Sequence, residues 1–460
     1  MSLTLVFLAA TVALAAETAP NAVEPRPLRA GDRYRIHSKE DYSGDLQLPE
    51  KPGEKPSRVP VQGTRVLEAD EEVLPSGKDG GDLPDRVMRH YRNLTGKRRI
   101  KDQDQKPLAM RKEMTPIVVH RGQGMSRPWS PRGPLRHDEI DTLLHHVFVP
   151  ALNGLLPPAG LEPGKMWKAS SAAVEQIGGY VPLESGDWEC ERKAATDFNG
   201  KPLATIYFHG RSSGLTEEGR AVDEIDGWLY VDQATGVLHS VDIEADRTLK
   251  NGKNETTGRL KSKYQLSLRA PEAVKEFTEF PAAASLPASP SAEQTAVLYE
   301  FPPLGLSLEH PRRWTLSKVE GTIMRFEHRG NWILLNAEED EQTPSAAEYA
   351  KMVDEDMKKN GHTLIRKTEE PREKSTDSKR GEEGYARLGV FEQEAKVDGT
   401  PMLMQYWMFE NGRRGVTLSA WLKKSDPDLE SLAGDAAWII KKVKFLRPTL
   451  KMPKVEEKKK

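Results

Sequence analysis

The stretch Trp228-Leu-Tyr-Val-Asp-Gln-Ala-Thr-Gly-Val-Leu238 decides how the longer part of this chain is read. Two arms of alternating character flank Asp232-Gln-Ala-Thr-Gly236, where Asp caps a turn and Gly accepts positive φ. Outward from this hairpin, Ala221 to Val231 and Val237 to Glu244 are its arms. Trp188 to Ala194 and Leu203 to His209 are two earlier strands, and Leu260 to Leu268 closes the meander. Apolar side chains fall on one face and charged ones on the other, as in an antiparallel sheet with one wet face. Asp32 to His37, Thr64 to Val73, Arg86 to Tyr91 and Thr115 to Val119 repeat the pattern. Lys39 to Pro60 reads as a polar, Pro-rich interval between them.

The 460 residues suit two to four domains of about 100–200 residues each. Lys and Arg total 68 against 70 Asp and Glu, a net charge of −2, which argues against a broadly basic nucleic-acid binder. The single Cys excludes an intrachain disulfide and a cysteine zinc cluster. Residues 1–15 read as a secretory leader, with an apolar run ending in Ala13-Leu14-Ala15, although Lys and Arg are missing from its start. No later apolar run has spanning length, so the mature chain is expected to carry no transmembrane segment. The expected location is periplasmic or secreted.

Two stretches read as helices within this plan. Ile140, Leu143, Leu144, Val147 and Phe148 form a stripe that ends near Pro150. Ser345 and Glu348 suit a capping box ahead of Ala350, Val353 and Met357, with Gly361 as the stop. A third helix is expected over Asp426 to Lys442. The segment 271–294, rich in Pro, Ala and Ser, reads as a linker between a β-rich domain at 28–270 and a second domain at 295–448. Residues 449–460 form a charged tail, and Arg372 to Gly384 a charged loop.

The second domain resembles the PsbP-like fold. The matching features are Leu306-Ser-Leu-Glu-His-Pro-Arg-Arg-Trp314, the helix from Ser345 to Asn360, the strands Tyr385 to Ala395, Met402 to Phe409 and Val416 to Leu422, and the last helix running into Val443-Lys-Phe445. The resemblance implies an antiparallel sheet flanked by helices and an accessory role without catalysis. Through its Trp228–Leu238 hairpin, the first domain resembles the half-open barrel of periplasmic lipoprotein-carrier and lipoprotein-sorting families. That resemblance implies a curved sheet sheltering an apolar ligand on its concave face. The expected fold class is therefore α+β, two domains on antiparallel sheets with flanking helices, the first half-barrel-like and the second PsbP-like.

The most suggestive polar group is His137, Asp141 and His145, spaced by four on a helix. Imidazole and carboxylate suit zinc, yet successive fours drift by about 40° each, and surface salt links explain the same residues. His120 and His209 stand near strand ends. Cys190 reads as a buried, inert thiol. Most of the nine Trp are expected in cores, and any exposed rings would suit a sugar or a partner surface. The leading expectation is an exported, non-catalytic binding or envelope accessory protein, holding an apolar ligand or a protein partner, with no cofactor and no specific nucleic acid. The alternatives are a secreted metal-dependent hydrolase using His137, Asp141 and His145, and a structural spacer.

Overall fold

A computed structural model describes residues 24–47, 57–76, 84–105, 107, 109–122, 125–144, 147–158, 160–161, 164–216, 219–269, 286–287, 289–301, 305–339, 343–375, 387–410 and 414–446. The leader, the tail, most of the linker and His145 lie outside these residues.

The expected α+β class is overturned. Strands hold 60% of the described residues and helices 16%, so the protein is mostly β. The physical reason lies in strand length. Charged residues on an open sheet face carry strands far beyond their apolar segments, while the helices stay short. The Arg33–Gln47 strand continues through the interval that reads as Pro-rich and polar, pairing with Arg58–Val73 on one side and Thr256–Arg269 on the other. There Arg65 and Glu40 meet at 2.8 Å, an ion pair at positions where the pattern leads one to look for apolar residues.

The chain forms two compact units, and their division is not linear. The first contains residues 1–107, 121–126 and 147–279; the second contains 108–120, 127–146 and 280–460. The segment around residue 135 joins the second unit because Leu135–Arg136 pairs in parallel with Val297 and Leu298.

In the first unit, one sheet runs in the order Met166–Lys168, Leu183–Phe198, Lys201–Thr216, Gly219–Asp232, Leu238–Lys250, Thr256–Arg269, Arg33–Gln47, Arg58–Val73, Arg86–Ile100. Gly219–Asp232 shows the alternation most cleanly: its odd positions are mostly buried and its even ones exposed or half-buried. Ile36, Leu67, Phe208, Leu229, Val241 and Leu266 belong to the buried face. Gly227 is needed there, because a Cβ would fall 2.2 Å from the Phe208 ring. The same face holds a buried polar knot, in which Glu71 accepts hydrogen bonds from Tyr34 Oη and Arg89 Nε while Arg89 Nη2 reaches Val147 O at 3.2 Å. The two-turn helix Ser171–Gly178, capped by Ser170 and ended by Gly179 at φ 66°, is not among the expected helices.

In the second unit, a seven-stranded antiparallel sheet runs Thr315–Glu320, Ile323–His328, Asn331–Glu339, Arg414–Lys423, Thr400–Glu410, Arg387–Val397, Thr363–Ser375. Helix Leu429–Lys441 covers one face through Leu432, Ala436, Ile439 and Ile440, against Phe326, Ile333, Leu335 and Leu418. Helix Ala346–Lys359 covers part of the other, through Ala346, Ala350 and Met357 against Phe391, Met404 and Tyr406. Its Ser345/Glu348 capping box is present as expected. The charged loop expected from Arg372 begins instead as the end of the Thr363–Ser375 strand, and residues 376–386 lie outside the described set. The helix expected to end near Pro150 stops earlier, as His137–Leu144, and Val149–Leu155 follows as a separate 3₁₀ turn. Pro150 sits in the first turn of the second piece, where its missing N–H costs nothing.

Candidate functional site

A cavity of about 1090 Å³ opens on the polar face of the first unit's sheet. Residues of strands five places apart in the sheet line it, Glu224 and Asp226 at one end and Lys97 to Arg99 at the other. A flat sheet could not bring both to one cavity, so this face is concave.

Strand pairing builds the lining as two rungs. Asp226 faces Glu244, which faces Lys263, then Asp41, Thr64 and Lys97. One step along, Glu224 faces Asp246, then Lys261, Ser43, Gln62 and Arg99. Both rungs start acidic and end basic. On four of the six strands the two lining positions carry the same sign, so charge changes across the strands and not along them.

Part of this charge is neutralised within the groove. Lys263 Nζ is 3.0 Å from Glu244 and Lys261 Nζ is 3.7 Å from Asp246. Asp41 meets Lys39 Nζ at 2.6 Å and accepts from Thr64 Oγ1 at 2.7 Å, and these two bonds, the lysine's foremost, hold its carboxyl below the usual range. Arg99 Nε donates to Asp104 at 2.7 Å, which lowers that carboxyl likewise. Glu224, Lys97 and Arg98 form no ion pair among the described residues.

The acidic end continues into an aromatic patch. Trp228, two residues beyond Asp226, is 37% exposed and lies 4.8 Å from the Tyr207 ring, centroid to centroid. Tyr207 Oη donates to Asp226 at 2.5 Å, and that bond pushes the phenol up to about 12. His209 lies 5.2 Å from the Tyr207 ring, and Lys193 Nζ sits 5.8 Å from the same ring centroid. Trp129, Trp188 and Trp314 are fully buried.

The residues singled out for metal chemistry do not assemble this way. His137 Nδ1 and Asp141 form an exposed i,i+4 pair at 3.1 Å, and His145 lies outside the described residues. Among the described residues, no group of three or more His, Cys, Asp or Glu side chains converges as a metal site. The buried acid of that helix is Glu139. It accepts from Arg111 N and Nε at 2.9 Å, from Arg111 Nη2 at 2.8 Å and from the Arg136 N–H at 2.8 Å. It ties residues 111 and 136 of the second unit together. Cys190 is fully buried, and burial pushes its thiol up to about 12. Sequence reading missed the groove because its lining residues are ordinary wet-face charges until register aligns them. No helix among the described residues is long and apolar enough to cross a membrane.

No protein family matches the chain, and no curated protein does. Among solved structures, a lipovitellin chain from a study of lipid–protein interactions is similar at 11% identity and a TM-score of 0.28, covering 54% of this chain and 26% of its own. The chain thus spans about a quarter of that protein's length. DynF from the dynemicin biosynthesis pathway of Micromonospora chersina matches at 8% identity and 0.17, covering 56% of this chain and 89% of its own. The Salmonella typhi porin OmpF matches at 7% identity and 0.11, over 86% of this chain and 99% of its own. TM-scores this low define no shared fold and assign no function.

Proposed function

We propose that this chain is an exported, non-catalytic binding or accessory protein, and that the concave face of its first unit holds a polar segment of a protein partner. The observation that carries this reading is the pair of charged rungs lining the cavity. Small-molecule sites are mostly apolar and of about 300–1,000 Å³. This groove lies just above that size, and most of its lining residues are charged or polar. An apolar occupant would strip water from those charges, at an effective cost of several kcal/mol per buried ion. A polypeptide segment offers charges and amide groups in return. The polar lining therefore favours a protein partner over the apolar ligand expected from sequence. Export is supported by the apolar run that ends in Ala13-Leu14-Ala15.

The test is retention of peptides from a defined synthetic mixture, read by mass spectrometry, on wild-type protein and on Ser43→Trp. Ser43 is exposed and lines the middle of the groove, so an indole there occupies it without touching the core. Wild type should enrich a charged subset that the variant does not. Equal retention by both proteins overturns the reading.

A further inference from the structure

We infer, resting on the reading just given, that the groove selects a segment whose charges are segregated along its length, basic residues against the Glu224–Asp226 wall and acidic residues against the Lys97–Arg99 wall. The two rungs carry this. Charge keeps one sign along a lining strand and changes sign across the strands, so a partner must vary its charge in the crossing direction. Lys261 and Lys263 already offset Asp246 and Glu244 in the middle of the groove. The uncompensated charge is left at the two rims, Glu224 on one and Lys97 on the other.

The span fits a short extended segment. Five strand spacings of about 4.8 Å give an arc of about 24 Å, which about seven extended residues cover at about 3.3 Å each. The acidic rim has a seat for a cation beside its carboxylates. Lys193 Nζ already lies over the Tyr207 ring at 5.8 Å, and the neighbouring Trp228 exposes its own ring next to Asp226 and its cross-strand partner Asp242. An ammonium or guanidinium group from the partner gains both the ring and the carboxylates.

The experiment compares two labelled octapeptides of one composition by fluorescence anisotropy: Lys-Lys-Lys-Gly-Ser-Glu-Glu-Glu, with blocked charge, and Lys-Glu-Lys-Gly-Ser-Glu-Lys-Glu, with mixed charge. Octalysine and octaglutamate complete the set. The blocked peptide should bind about tenfold more tightly than the mixed one, and raising salt to about 0.5 M should remove the difference. Glu224→Gln and Lys97→Gln, both at exposed sites, should each narrow the preference, with thermal melts confirming that both variants fold. Equal affinity for the blocked and mixed peptides overturns the inference, as does octalysine or octaglutamate matching the blocked peptide. If none of the four binds while wild type still retains peptides that Ser43→Trp does not, charge segregation is wrong and the groove reading stands. If that retention also fails, both fall.

Discussion

Glu224 and Asp246 stand directly opposite each other on neighbouring antiparallel strands, two carboxylates in a register where opposite charges would attract. Asp226 and Glu244 repeat the arrangement two residues along. Like charges so placed cost up to about 1 kcal/mol per pair. Lys261 and Lys263 offset part of it from the next strand. The wall keeps a local cost that a bound cation would relieve.

Glu224→Gln should therefore stabilise the first unit by a few tenths of a kcal/mol while weakening partner binding. Urea denaturation at low and high salt checks this. The gain should shrink at about 0.5 M salt, where the Debye length is only a few ångström. A loss of stability at low salt would contradict the repulsion argument.

The knot under the sheet should respond in the opposite sense. Both side chains of the Glu71–Arg89 pair are fully buried. Burial alone would lower the Arg89 pKa, but the Glu71 carboxylate raises it above its ordinary value. Glu71→Leu leaves that guanidinium without its counter-charge and should cost about 3–5 kcal/mol. The double variant Glu71→Leu with Arg89→Met removes both charges and should recover much of the loss, as chemical denaturation would show.

The second unit should lose stability in mild acid. His310 packs 4.9 Å from the Phe326 ring, and burial pulls its imidazole down to about 4, with the Arg312 and His137 charges acting the same way. An unfolded histidine titrates near 6.5. Between these values the unfolded chain binds the extra proton, so stability rises with pH across the window. The contribution, about 3 kcal/mol, is complete above pH 6.5 and is lost as pH falls toward 4. His310→Leu should flatten that part of the profile. An unchanged slope would assign the acid sensitivity elsewhere.

Cys190 and the tryptophans give a test of burial. Native protein should leave Cys190 unlabelled by a thiol reagent at neutral pH, with full labelling in denaturant. Trp188→Ala should cost about 3–5 kcal/mol, because it empties a fully buried site stacked on Phe208. Trp228→Ala should cost far less and should lower affinity for the blocked peptide. Labelling of the native thiol, or equal stability losses at Trp188 and Trp228, would contradict this assignment.

Much of the local structure was legible. The Asp232–Gly236 turn joins the two expected strands, although the second runs on to Lys250, six residues past its expected end, and the Ser345/Glu348 box caps its helix. The second half of the Arg33–Gln47 strand was not legible, because Glu40 and Arg65 satisfy each other across the strands in place of an apolar pair. His137 and Asp141 stood out by spacing, yet they link to each other at the surface. Spacing carries no signal for Glu139, between them, although its four bonds organise residues 111 and 136.

Alternation in the sequence by itself determined which residues of each strand face the core and which face water, since that depends only on a period of two. It could not determine the rungs. Whether Lys263 stands beside Glu244 and Asp41 depends on how three strands, two of them more than 200 residues apart in the chain, slide against one another. A shift of one residue would turn every side chain to the other face, so burying Ile36 against Leu268 and Val241 against Leu266 fixes the register. The core made that choice, and the order of charges across the groove followed from it.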